Sequence, residues 1–167
     1  MKIGVTARFQ NSYFSGGQPQ VALALSRALA TAGHDVILLR QASDPEWFID
    51  VQGFKSKTAS RVVFSSDQHY DLIIEATWCL SPEDRRKCAD RVVYLAHFPP
   101  IFHDMESCVY QWNPTQRNFQ NLAAIWTYDF YTAQDVRYLE FLAQVPVQQI
   151  PYVWDAEALD VATAEVG

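Results

Sequence analysis

The chain has 167 residues, 49% hydrophobic and 19% charged, the size and composition of one globular domain with its own core. Its 19 acidic against 13 basic side chains leave a net charge of -6, which argues against general nucleic-acid binding because phosphate neutralisation needs clustered Lys and Arg. No apolar stretch approaches the ~18–20 residues that span a bilayer, and Met1 to Thr6 lack the apolar block and cleavage site of a signal peptide.

Ile3 to Thr6 is a short apolar run that predicts a buried strand, and a loop from Ala7 to Gly17 follows it. Pro19 to Ala32 predicts a helix, with Val21, Ala24, Leu25, Ala28, Leu29 and Ala32 on one stripe. Pro19 suits its first turn, and Gly33 suits a left-handed cap. Val36 to Leu39 predicts the second strand, parallel to the first through a right-handed crossover.

Arg61 to Phe64 and Leu72 to Ala76 are further strand candidates. Ser81-Pro82-Glu83-Asp84 reads as an N-cap, a first-turn proline and an acidic first turn, opening a helix that runs to about Ala89. Within it Arg85-Arg86-Lys87 is expected on a solvated face. Val92 to Ala96 and Ala123 to Thr127 predict two more strands. Thr132-x-x-Asp135 then opens a helix carrying Val136, Leu139, Leu142 and Ala143. Pro146 ends it, and Val147 to Ile150 predicts the last strand. Short apolar runs without alternation mean strands covered on both faces. The expected fold is an open, mostly parallel Rossmann-like α/β sheet with helices on both faces, spanning residues 1–150. Residues 151–167 read as a linker and a short helical tail from Ala156 to Val166.

Ligands of such sheets bind beyond the carboxyl ends of the strands. The segments there are the Ala7–Gly17 loop, Thr77-Trp78-Cys79, His97 to His103, Tyr128-Asp129 and Tyr152 to Asp155. The pair Gly16-Gly17 ahead of the first helix lets a backbone approach an anion at the helix N-terminus, or simply makes a tight turn. A nicotinamide site is disfavoured: G-x-G-x-x-G does not directly follow the strand, and the second strand ends in Leu38-Leu39-Arg40 with no acid for a ribose. A nucleotide-triphosphate loop is absent for the same kind of reason. His97 stands at a strand tip, where an imidazole donates to a hydroxyl or phosphate, shuttles a proton, or merely braces a loop. His103 with Asp104 is a second polar pair. His34 and His69 read as surface residues. The cysteines Cys79, Cys88 and Cys108 show no metal-ligand spacing, no Cys-x-x-Cys and no adjacent His, so neither a metal site nor a covalent nucleophile is expected, and the location expected is a reducing cytoplasm.

These residues resemble the N-terminal half of a GT-B glycosyltransferase, close to the family 4 group. The resemblance rests on Met1-Lys2-Ile3-Gly4-Val5 and on Gly16-Gly17 leading into Gln20-Val21-Ala22-Leu23-Ala24-Leu25-Ser26-Arg27-Ala28-Leu29-Ala30. It continues in Gly33-His34-Asp35-Val36, in Val92-Val93-Tyr94-Leu95-Ala96-His97 and in Ile150-Pro151-Tyr152-Val153-Trp154-Asp155, so that it covers about residues 1–160. The last segment departs from the family's Pro-Asn-Gly-Val-Asp, and the donor-binding second domain is not in this chain.

What the resemblance implies is an acceptor-side domain that works with a C-terminal donor domain, in cis or trans, to move sugar from a nucleotide-sugar to a glycan or lipid-linked acceptor. His97 would be the catalytic residue facing the transferred sugar, with Gly16, Gly17, Arg8, Trp78, His103 and Asp129 binding substrate. No cofactor or metal is implied, the nucleotide-sugar being a co-substrate held mainly by the second domain. Alternatives that stay open are a non-catalytic carbohydrate- or protein-binding module of the same fold and half of a nucleotide-sugar epimerase. Peripheral membrane contact through Arg8, Phe9, Tyr13 and Phe14 also stays open, with the net acidity weighing against it.

Overall fold

The computed structural model describes residues 1–7, 17–40, 56–58, 69–76, 79–97 and 119–152. Seven strands form one sheet: β1 (Lys2–Ala7), β2 (Asp35–Arg40), β3 (Ser56–Thr58), β4 (Tyr70–Glu75), β5 (Ala89–Leu95), β6 (Ala124–Tyr128) and β7 (Val147–Ile150). Their spatial order is β3-β2-β1-β4-β5-β6-β7 and every neighbouring pair is parallel. Among the described residues there are three helices between strands: α1 (Gly17–Thr31), α2 (Pro82–Cys88) and α3 (Ala133–Ala143). The sheet grows from β1 in one direction through α1 and in the other through α2 and α3. Right-handed crossovers therefore set α1 on one face and α2 and α3 on the other, as expected of an open α/β sheet.

Cover on both faces explains the apolar runs. In β4 the consecutive residues Ile73, Ile74 and Glu75 are all buried, and Ile3, Gly4, Val5 and Thr6 of β1 are buried in unbroken succession. Gly4 has a further reason to lack a side chain. A Cβ there would stand 2.8 Å from Leu39 Cδ1 and 3.3 Å from both Ile73 Cγ1 and Tyr70 Cδ1, so β1 lies close against the side chains around it.

The boundaries differ from the sequence reading in instructive places. The expected loop at residues 7–17 is shorter at both ends, because Ala7 still pairs with Arg40 and Gly17 already belongs to α1. Burial in α1 follows the axis rather than the stripe: residues 21–26 are enclosed on all sides, while Ala28 and Ala32 are exposed. Small Ala22 and Ala24 permit that enclosure, and the Ser26 hydroxyl is satisfied by donating to the Ala22 carbonyl at 2.6 Å. Gly33 is the left-handed cap, with φ +89°. Its N–H reaches the Ala30 carbonyl and the His34 N–H reaches that of Leu29. β3 was not expected, since Ser-Lys-Thr carries no apolar signal; it pairs with the end of β2 through Leu38 and Ser56. The strand candidate Arg61 to Phe64 and the tail from Ala156 to Val166 lie outside the described residues. Among the described residues, no helix is long and apolar enough to cross a membrane.

The helix starts are local chemistry. Ser81 caps α2 by accepting from the Asp84 N–H at 3.1 Å, with Pro82 at the first helical position. Thr132 and Asp135 form a reciprocal capping box on α3: Thr132 Oγ1 accepts from the Asp135 N–H at 3.2 Å, and the Asp135 carboxylate accepts from the Thr132 N–H at 3.0 Å. At its other end Gln144 adopts φ 54° and closes the helix before Pro146 is reached. Replacing Thr132 by Ala is expected to lower stability by about 1 kcal/mol, read as a shift of the urea midpoint at constant slope. A change of slope, or no shift, would contradict the capping role.

Candidate functional site

The strand order reverses between β1 and β4, so the crevice that an open α/β sheet offers to ligands lies at the carboxyl ends of these strands and of β5 beside them. The rim there is tied together by side chains. Thr6, fully buried at the end of β1, accepts from the Ala76 N–H at 2.9 Å and so joins the tip of β1 to that of β4.

Below this rim lies a buried ion pair. Glu75 is 0% exposed and Arg85 of α2 is 2% exposed, and they meet as a fork on a fork, Arg85 Nε to Glu75 Oε1 at 2.9 Å and Nη2 to Oε2 at 2.8 Å. Arg85 Nη1 donates to the Gln120 carbonyl at 2.9 Å, and Glu75 Oε1 also accepts from the Leu80 N–H at 2.8 Å. The expectation that Arg85 lies on a solvated face is thus overturned. Arg85 turns inward because a carboxylate ends the apolar run Leu-Ile-Ile-Glu and requires a counter-charge once β4 is covered. Lys87, by contrast, is exposed and pairs with Glu83 one helical turn earlier. Burial pushes the Glu75 carboxyl above its ordinary value, with the guanidinium pulling the other way. Burial also pushes the neighbouring Cys79 thiol well up, and the Glu75 carboxylate adds to this, both favouring the thiol over the thiolate.

His97 follows β5 directly and is half-buried. Its Nε2 lies 2.5 Å from the Ala76 carbonyl, and its Nδ1 lies 2.8 Å from the Tyr128 hydroxyl at the end of β6. A carbonyl only accepts, so Nε2 carries the proton; in the neutral ring Nδ1 then accepts from Tyr128. Burial raises the Tyr128 hydroxyl well above its ordinary value, which keeps it a protonated donor at any physiological pH. Tyr131 holds the same tip by donating to the Ala96 carbonyl at 3.1 Å, and Gln149 Nε2 donates to the Tyr131 carbonyl at 2.9 Å. His97 therefore spans three strand tips, β4, β5 and β6, with its ring orientation set by Ala76 and Tyr128.

Next to it the rings of Tyr128, Phe130, Tyr131 and Tyr152 form one cluster. Tyr128 and Tyr152 meet edge-on at 4.8 Å between centroids, and Phe130 stacks on Tyr128 at 5.2 Å. Asp129, between them in sequence, is exposed and donates its N–H to the Ile150 carbonyl at 3.0 Å.

Of the residues singled out from the sequence, the structure brings His97 and Asp129 to adjacent strand tips and places Gly17 at the head of α1. Arg8, Gly16, Trp78 and His103 lie outside the described residues. Phe130 and Glu75 were not singled out; Tyr128 was named only within the Tyr128-Asp129 segment, and Arg85 only as part of a solvated basic run. A charge closing an apolar run was a usable signal for Glu75, and four successive polar or aromatic residues after a strand were one for Tyr128 and Phe130. His69 is exposed as expected and pairs with Asp90 at 2.7 Å, which raises its pKa through that hydrogen bond. Among the described residues, no three His, Cys, Asp or Glu side chains converge as metal ligands would.

The model of one family, described as a protein of unknown function (DUF2827), matches residues 2–167. No curated protein and no solved structure matches the chain.

Proposed function

We propose that this chain, which belongs to the DUF2827 family, is the acceptor-side domain of a sugar transferase of GT-B build. In this reading a nucleotide-sugar held by a donor domain gives its sugar to a glycan or lipid-linked acceptor seated at the carboxyl ends of β5 and β6. The observation that carries the reading is His97, a half-buried imidazole at the tip of β5 with its orientation and tautomer set by Ala76 and Tyr128. An imidazole so held keeps one orientation at the carboxyl ends of the strands, and fixed orientation is what aligning a donor and an acceptor requires. The resemblance of residues 1–160 to these transferases, and the parallel sheet with its reversal between β1 and β4, support it further.

A second reading is favoured by a specific observation. Both His97 nitrogens are hydrogen-bonded within the protein, so the same face serves equally as a carbohydrate-binding surface with no proton transfer.

The test uses the native protein, drawn from its own cells with an antibody to this domain so that any further domain or partner is retained. Incubated with labelled nucleotide-sugars and oligosaccharide acceptors, it is expected to transfer label, and His97→Ala is expected to reduce turnover by at least about tenfold. Full turnover in His97→Ala would remove His97 from the mechanism. Glycan binding without transfer from any donor would establish the second reading instead.

A further inference from the structure

Phe130 is the feature that packing alone leaves unexplained. It is 58% exposed, directly beyond the tip of β6, although burying such a ring is worth about 1.5–3 kcal/mol. It is nevertheless held. Tyr128 stacks on it at 5.2 Å with 27° between planes, Tyr131 backs it at 5.4 Å and Tyr152 at 5.8 Å. Tyr128 and Tyr131 are themselves buried, and Tyr152 is half-buried. Three rings thus fix a fourth that stays 58% exposed, with Asp129, also exposed, preceding it in sequence and His97 one ring away.

We propose that Phe130, backed by Tyr128 and Tyr152 and flanked by Asp129, is the stacking platform for one neutral pyranose ring of the acceptor. This rests on the sugar-transferase reading above and names the substrate class of the same site. The C–H face of a pyranose meets the electron-rich face of an aromatic ring, and a carboxylate accepts from vicinal hydroxyls. A phosphorylated ring is disfavoured at this position because Asp129 repels it. A quaternary ammonium is disfavoured by shape: it needs rings standing around an opening, whereas here the rings lie packed on one another at 4.8–5.8 Å.

Saturation-transfer NMR on the full chain, with the methyl glycosides of glucose, galactose, mannose and N-acetylglucosamine, tests this. Choline chloride serves as the competing probe. At least one glycoside is expected to bind, Phe130→Ala to weaken it roughly fivefold or more, and Phe130→Trp to retain it. Phe141→Ala on α3, a phenylalanine even more exposed at 71%, should leave binding unchanged. Phe130 is largely exposed, so its loss leaves the fold intact; a circular-dichroism melt within a few degrees of the parent shows that. No binding by any glycoside, binding unaffected by Phe130→Ala, or choline binding abolished by it, would each overturn the platform. The transferase reading fails separately: label transfer that persists in Phe130→Ala overturns the platform alone, while glycoside binding at Phe130 without transfer in the native protein overturns the transferase alone.

Discussion

Replacing Arg85 by Ala is expected to lower stability by about 3–5 kcal/mol, a large share of what a domain of this size holds in reserve. The loss comes less from the missing attraction than from what stays behind. Glu75 is fully enclosed and accepts from the Leu80 N–H, but without the guanidinium its charge has no counter-ion in the interior. The Gln120 carbonyl loses its donor as well. The pH dependence has a definite sign. Burial already raises the Glu75 carboxyl above its ordinary 4.5, and removing Arg85 removes the main opposing influence. A carboxyl whose folded pKa is raised contributes its stability in full below the unfolded value and loses it as pH rises through the folded value. The gap between Arg85→Ala and the parent should therefore be small near about pH 4.5 and widest at about pH 8, measured by urea unfolding across that range. The paired replacement Glu75→Leu with Arg85→Met should recover part of the loss, because two apolar side chains leave no buried charge. A single-variant cost below about 1 kcal/mol, typical of exposed pairs, would show that water reaches this pair after all.

If the protein is the sugar transferase proposed above, Tyr128→Phe is expected to reduce its turnover roughly five- to a hundredfold, the equivalent of leaving one half-buried acceptor without its donor. The change removes a single oxygen. Tyr131 still donates to the Ala96 carbonyl and the ring of residue 128 still packs on Phe130, so the strand tip keeps its shape. What is lost is the donor to Nδ1 of His97, while the Ala76 carbonyl still holds the proton on Nε2. The imidazole nitrogens report this directly. In parent and variant alike, nitrogen-15 shifts should show the neutral tautomer with the proton on Nε2, because the Ala76 carbonyl remains; in Tyr128→Phe the Nδ1 resonance should move, having lost its hydrogen-bond donor. The double variant with His97→Ala should be no worse than His97→Ala alone, since Tyr128 acts through His97. An unchanged Nδ1 resonance together with unchanged turnover would make Tyr128 a packing residue only.

Both expectations depend on pairings that are distant in sequence. Glu75 and Arg85 lie ten residues apart and join β4 to α2; His97 and Tyr128 are 31 apart and join β5 to β6. The position of His97 at a strand tip was legible, because a polar residue follows five residues of apolar strand before a proline pair. Its function as a clasp across three tips was not, because that depends on which strands are neighbours. In the same way Arg85 reads as one of three consecutive cations on a short helix, and only the face of α2 turned toward Glu75 separates it from Lys87.

The amino-acid sequence by itself determined the described elements other than β3: apolar runs too short for helices and too continuous for one-sided strands, Ser81 and Thr132 as caps, Gly33 as a left-handed stop, and hence an open parallel α/β fold. Each of these signals acts within a few residues, through backbone hydrogen bonds and steric preference, so it can be read locally. The tertiary structure alone decided the strand order β3-β2-β1-β4-β5-β6-β7, the inward turn of Arg85, the tautomer of His97 and the exposure of a held Phe130. Those depend on which surfaces the crossovers bring together, and a buried charge or an orphaned nitrogen acquires its partner only after the sheet has closed over it.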